Sequence, residues 1–219
     1  MMGAGAGLAI VALALVASLS VRPWRLLRGG ALATPLLATL TVLPWLWSWP
    51  GLIALPIPLQ WSAAPLAVLM LGWPLAIPVL VLAGFSTMLT TGATLENALT
   101  LTVWSGLMPA TLVMALGQVV RRATGAHPVG YILGRAFLVP LAALVASSLT
   151  AAMFGHGFTG VRGEMHTVAM LLLAMGEASW TCAIASMLVA YRPHWLATWS
   201  DALYLGRPPC AAGPLRTRQ

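Results

Sequence analysis

The stretch that decides the fold is QWSAAPLAVLMLGWPLAIPVLVLAGFSTMLTT, residues 60–91. It is apolar almost throughout, and a helix needs about 20 such residues to cross a membrane. The stretch is therefore long enough for one long span or for two. Gly72-Trp73-Pro74 interrupts it, and proline lacks an amide donor and clashes with the preceding helical turn. The sequence therefore predicts a short helix over about 60–71 and a full one over about 73–92.

The composition places the whole chain in a membrane. Sixty per cent of its 219 residues are hydrophobic, 7% are charged and the mean hydropathy is +0.91, whereas roughly a quarter of a soluble domain is charged. In addition to the two predicted helices over about 60–71 and 73–92, there are five apolar runs, which cover about 3–21, 30–50, 98–120, 129–153 and 167–190. We predict an all-α, polytopic membrane helix bundle of about seven transmembrane helices, one of them short. It forms a single domain over residues 1–205, and residues 206–219 form a cytoplasmic tail.

The positive charge decides the orientation. The net charge of +7 comes from eleven arginines and no lysine, against four acidic residues, and cytoplasmic loops are the ones enriched in arginine. A turn at Gly72–Pro74 puts nine arginines on one side and leaves Arg162 on the other. The nine are Arg22, Arg25, Arg28, Arg121, Arg122, Arg192, Arg207, Arg216 and Arg218. We therefore expect the amino end outside and the carboxyl end inside. The arginines would face anionic lipid headgroups of the bilayer, and we expect no nucleic-acid partner.

Glu177 is the most informative polar residue inside a predicted span. It lies ten residues from the outer end of the last helix, which is about 15 Å at 1.5 Å per residue and so close to the bilayer midplane. A carboxylate there costs about 3 kcal/mol on insertion scales, and such residues commonly face a cavity or a partner. We predict that Glu177 lines a substrate path with the 60–74 break. The alternative is a protonated or hydrogen-bonded residue with a structural role alone.

A second polar group lies in the external loop FGHGFTGVRGEMH, residues 154–166. His156, Glu164 and His166 offer imidazole and carboxylate ligands of the kind that bind a divalent transition metal, and the glycines let the loop fold around an ion. Their spacing matches no compact metal motif, so three solvated side chains are the competing interpretation. We expect Glu177 to matter more for function than either histidine.

The first helix carries small residues at helical spacing, namely Gly3, Gly7, Ala14 and Ser18. Small side chains let two membrane helices approach closely. This face is a candidate contact with a partner membrane protein, or with another helix of the same bundle.

Three stretches together resemble a known family. They are LMLGWPLAIPVLVLA at Leu69–Ala83, the polar-headed helix ending in Arg121-Arg122, and GEASWTCAIASMLVAYRPHWLATWSDALYL at Gly176–Leu205. They resemble the energy-coupling factor ABC transporter permeases, relatives of the CbiM-like cobalt/nickel substrate-capture subunits, over roughly residues 45–205. The resemblance implies seven helices, location in the cell inner membrane, and capture of a transition metal ion for uptake.

The resemblance also implies partners, because the sequence has no nucleotide-binding motif. A transmembrane coupling subunit and ATPase subunits would then drive transport, and we expect neither enzyme activity nor a cofactor in this chain.

Departures from the family pattern concern the metal ligands. Metal-capturing relatives begin Met-His and carry a second histidine at the start of the short third helix, where this chain has Met1-Met2-Gly3 and Gln60-Trp61. Gln60 and Trp61 are therefore candidates for the substrate path in place of a histidine. A non-transporting membrane scaffold or assembly subunit that keeps the fold is the alternative function.

The predicted topology is testable with single cysteines at Thr94 and Ala126, in a background without Cys182 and Cys210. A turn at Gly72–Pro74 puts these two sites on opposite faces of the membrane. We expect an impermeant thiol reagent to label Thr94→Cys from outside and Ala126→Cys only from the cytoplasmic side. Labelling of both from one side would show that 60–91 crosses the membrane once.

Overall fold

A computed structural model of the chain describes residues 4–52, 60–156 and 164–205, and every regular element in these ranges is helical. The all-α prediction is therefore confirmed for the described part of the chain. Gly3 and the predicted tail over 206–219 lie outside it. The helices are α1 Ala4–Ser20, α2 Trp24–Leu27, α3 Ala33–Leu52, α4 Ala64–Leu71, α5 Trp73–Thr90, α6 Leu95–Thr124, α7 Gly130–Met153, α8 Glu164–Tyr191 and α9 Asp201–Tyr204, with a 3-10 turn at Pro193–Trp195.

Four of these helices, α5 to α8, are long and apolar enough to cross a membrane. The shorter α1 is also apolar. A multi-pass membrane protein is thus supported by the lengths and composition of its helices. The count of seven spans and the outward amino end stay predictions.

The predicted break occurs at Gly72, which ends α4 and precedes α5. Gly72 has φ 75° and ψ 156°, in a region that glycine adopts without steric cost. The short helix itself starts later than predicted, because Ala63 has a left-handed φ of 51° and residues 60–63 are not helical. Pro65 stands in the first turn of α4, where its missing N–H leaves no donor unpaired.

The short helix α4 lies at the centre of the bundle. It contacts α3, α5, α6, α7 and α8. Its eight residues span only about 12 Å at 1.5 Å per residue. Because six of the eight are buried, α4 is surrounded by protein rather than by lipid.

The chain after α8 folds back over the carboxyl end of α4. The Ala197 amide donates to the Met70 carbonyl at 2.9 Å, and the Thr198 hydroxyl donates to the Leu69 carbonyl at 2.9 Å. The last carbonyls of a helix have no partner within it, so this segment provides the donors that α4 lacks at its carboxyl end.

The helices α5 and α6 approach each other closely at Gly84. A Cβ atom added at Gly84 would collide with Thr102 Oγ1, a hydroxyl that itself donates to the Ala98 carbonyl at 2.7 Å. Thr102 begins a π-helical segment of α6 that runs to Leu107. Glycine is therefore required at this crossing for steric reasons.

We expect Gly84→Ala to lower the midpoint temperature of thermal unfolding of the purified protein in detergent. Overpacking of this kind costs about 1–3 kcal/mol, which exceeds the helix-propensity gain of about 1 kcal/mol from glycine to alanine. Gly176→Ala is the matched control, because Gly176 is also helical and a Cβ there meets nothing within 4 Å. Equal midpoints for the two variants would contradict the close contact between α5 and α6.

Candidate functional site

The carboxylate of Glu177 binds the amino end of the short helix α4. Its Oε2 accepts a hydrogen bond from the Ser62 amide at 2.8 Å, and its Oε1 accepts one from the Ala63 amide at 2.8 Å. Ser62 and Ala63 are the two residues before α4, and the amino end of a helix carries partial positive charge. Glu177 is only 3% exposed, and these two backbone amides are its hydrogen-bond partners.

Ser62 ties the same point to two further helices. Its carbonyl accepts from Trp47 Nε1 of α3 at 2.9 Å, and its hydroxyl donates to the Ser105 carbonyl of α6 at 2.5 Å. The hydroxyl oxygen also accepts from the Ala64 amide at 3.2 Å. Thus α3, α6 and α8 all form hydrogen bonds with the turn over residues 60–63. These bonds provide partners for backbone polar groups of a non-helical segment inside the bundle.

The Ser105 carbonyl belongs to the π-helical segment Thr102–Leu107. Such segments are single-turn insertions that often accompany functional sites. The next residue, Gly106, lies against Trp47, because a Cβ added at Gly106 would meet the Trp47 ring at 2.9 Å. The π segment therefore places both a carbonyl acceptor for Ser62 and a glycine surface for Trp47.

A cavity of about 340 Å³ adjoins this cluster and is lined by α6, α7, α8 and the residues before α4. It runs along α6 from Asn97 to Pro109, about 18 Å at 1.5 Å per residue. It therefore connects the end of the bundle where α6 begins with the buried Glu177. Its polar lining residues are Gln60, Ser62, Asn97, Thr100, Ser105, Ser147, Ser148, His156 and Glu177.

The structure brings together three of the residues that the sequence analysis singled out. Gln60, His156 and Glu177 all line this cavity. Trp61 does not line it. Its ring instead packs edge-on against Trp180, with the ring centroids 6.4 Å apart.

The loop histidine His156 lies beside an aromatic side chain. Its ring centroid is 5.8 Å from that of Trp104, which also lines the cavity. The side chains of Glu164 and His166 lie outside the described part of the chain. Over the described ranges, no group of three His, Cys, Asp or Glu side chains is arranged to hold a metal ion, and the metal role of the loop stays a prediction.

The small-residue face of α1 packs inside the bundle. Gly7 and Ser18 are buried, and Ala14 packs against the core. The Ser18 hydroxyl donates to the Pro74 carbonyl at 2.6 Å, and α1 contacts α5 and α6. Helices of this chain therefore contact this face, which is one of the two alternatives given above, and a partner membrane protein at the same face stays a prediction.

The sequence analysis missed Ser62, Ser105 and Trp47. Each is a common residue in an apolar run, and nothing in its local pattern distinguishes it. One signal was available for the serines. A hydroxyl inside a membrane span needs a hydrogen-bond partner, and Ser62 lies three residues before Pro65, which marks a helix start.

We expect Glu177→Gln to destabilise the protein, because both carboxylate oxygens accept backbone amides and glutamine offers one acceptor and one donor. An amide NH₂ set against a backbone N–H leaves a buried donor unpaired, at a cost of about 1–3 kcal/mol. The measurement is the midpoint of thermal unfolding in detergent. Glu96→Gln is the control, since Glu96 is exposed in the first turn of α6. Equal midpoints for the two variants would mean that Glu177 does not cap α4.

No model of a protein family, no curated protein and no solved structure matches this chain. The resemblance described above therefore rests on the residues quoted for it.

Proposed function

We propose that the protein is the membrane-embedded substrate-capture or permease subunit of an energy-coupling-factor-type uptake transporter, with transition metal ions as its substrate class. The observation that carries the proposal is the polar cavity of about 340 Å³ inside an apolar helix bundle. Binding sites for small ligands occupy about 300–1,000 Å³ and place a few polar groups on a largely apolar wall. The cavity between α6, α7 and α8 has this size and this lining.

The position of the cavity favours capture from outside the cell. Its far end lies at Asn97 and His156, and the predicted topology puts residues 93–97 and 154–166 outside. A solute would enter beside these residues and move inward towards Glu177. Its hydration shell would be replaced in part by hydroxyl and amide groups such as those of Thr100 and Ser148.

The broken helix at the inner end of the cavity is the second argument for transport. Discontinuous helices buried near the middle of the bilayer form the binding sites of many transporters. Here the break leaves residues 60–63 in a non-helical conformation, and Gln60 and Ser62 from this stretch line the cavity. The proposed transporter would take its energy from separate coupling and ATPase subunits in the same membrane.

One observation favours the second candidate, a non-transporting scaffold or assembly subunit. Both oxygens of Glu177 are already bonded to backbone amides. The carboxylate therefore has a structural role that is complete without any substrate, and the fold requires it in a scaffold as much as in a transporter.

The two candidates are separated by blocking the cavity with Ser148→Phe. Ser148 lines the cavity, and a phenyl ring there would occupy the space that a solute needs. In host cells that depend on this gene, we expect Ser148→Phe to reduce Co²⁺ or Ni²⁺ accumulation, measured by elemental analysis, to the level of a deletion strain. Ser179→Phe is the control, because Ser179 is exposed on α8.

Protein abundance in the membrane must be equal for both variants in this experiment. If accumulation of both ions is the same in the deletion strain as in the parent, the transition-metal assignment is wrong. If Ser148→Phe also complements every phenotype of the deletion, the scaffold is the correct function.

A further inference from the structure

Three hydroxyl groups in the wall of the cavity have no hydrogen-bond partner among the described residues. Most hydroxyls within the described helices donate to a carbonyl three or four residues earlier, as that of Thr102 does at 2.7 Å. Thr100, Ser105 and Ser148 lie in helices, are half-buried and line the cavity. No hydrogen bond within the described part of the chain engages their hydroxyl groups. These three hydroxyls are therefore available to a ligand.

The cavity is much larger than a metal ion. Its volume of about 340 Å³ equals that of about ten water molecules at ~30 Å³ each, so a single divalent cation would leave most of the space to water. Apolar side chains complete the wall beside the hydroxyls, and they include Leu101, Leu144, Met170 and Leu173. Such a surface suits the carbon atoms of an organic ligand.

The polar groups of the wall suit an uncharged solute better than a free cation. Glu177 is the one charged side chain among the described lining residues, and both of its oxygens already accept backbone amides. Ions such as Ni²⁺ prefer imidazole ligands, and His156 is the one histidine among the described lining residues. The hydroxyls and the Asn97 amide instead form hydrogen bonds with the oxygen and nitrogen atoms of a neutral ligand.

We propose that the cavity binds its metal as a neutral complex with an oxygen-bearing organic chelator, and not as a free ion. This inference rests on the proposed function, because it takes the metal as the substrate. The chelator would provide the metal ligands that the described wall lacks, and it would cancel the charge of the ion. Its carboxylate oxygens would accept hydrogen bonds from the hydroxyls of Thr100, Ser105 and Ser148, while its carbon atoms would contact the apolar part of the wall.

The complex of Ni²⁺ with two glycinate anions is the probe, because it is neutral and its carboxylate groups carry oxygens that accept hydrogen bonds. The full chain in detergent is dialysed to equilibrium against Ni²⁺ alone or against Ni²⁺ with an excess of radiolabelled glycine. Bound nickel is measured by elemental analysis, and bound glycine by its label. We expect nickel and glycine to be bound together in the ratio of the complex, and Ni²⁺ alone to bind at least about tenfold more weakly.

Removal of one cavity hydroxyl should weaken binding of the complex. Thr100→Val keeps the shape of the side chain, and we expect it to raise the dissociation constant about fivefold, as for the loss of one net hydrogen bond. Thr111→Val is the matched control and should change nothing. Thr111 is also half-buried on α6, but it lies away from the cavity and its hydroxyl donates to a backbone carbonyl. If Thr100→Val does not fold, Ser148→Ala tests the same point against Ser186→Ala, a half-buried serine outside the cavity.

Four outcomes would overturn the proposal. They are failure of the complex to bind, equally tight binding of Ni²⁺ alone, binding of nickel without glycine, and equal dissociation constants for the cavity variants and their controls. Failure of the proposed function is a separate result. It is decided by the accumulation of Co²⁺ or Ni²⁺ in cells that carry Ser148→Phe, which does not depend on whether the ion is bound free or as a complex.

Discussion

The fold depends on one carboxylate that satisfies the amino end of a helix inside the bundle. The helix α4 has eight residues, six of them buried, so the backbone groups at its ends lie inside the bundle. Each buried backbone group without a partner costs several kcal/mol. Glu177 accepts the amides of Ser62 and Ala63, the two residues before α4, while the segment after α8 donates to the carbonyls of Leu69 and Met70 at the opposite end. A short helix is stable at this depth because both of its ends are bonded.

The same arrangement creates the cavity. Non-helical backbone at membrane depth is tolerated where protein surrounds it or where it lines a polar space, and residues 60–63 meet both conditions. Ser62 faces the cavity while its own groups bind Trp47, Ser105 and Glu177. In the proposed transporter, substrate binding and helix capping would therefore share one set of atoms. A solute that competes for the Glu177 carboxylate would loosen α4, and this would couple occupancy of the cavity to the position of the short helix.

Local sequence signals predicted the helices and the break between α4 and α5, but not which residues contact each other. Gly72 and Pro74 mark the break because their effects on the backbone are intrinsic to those residues. Glu177 was recognisable because a carboxylate in an apolar run is costly wherever it lies. Its acceptance of the Ser62 amide joins residues 115 positions apart, a contact that only the packing of α8 against α4 determines. The sequence also could not show that α1 packs against α5 and α6, since small residues permit close packing but do not determine which helix is the neighbour.

The two buried charges show how differently a membrane bundle can neutralise an ion. A direct pair between Glu177 and Arg135 would need both side chains to leave water and to meet in good geometry, and such pairs often give no net stability. Glu177 instead accepts hydrogen bonds from backbone amides that need an acceptor in any case. The same contact therefore provides partners for the buried carboxylate and for the buried amides. Arg135 has no such complement in the described bundle, and it is held against Tyr131 and Gly117 near a helix end. The carboxylate is thus satisfied by the fold itself, whereas the Nε of the guanidinium has no hydrogen-bond partner among the described residues.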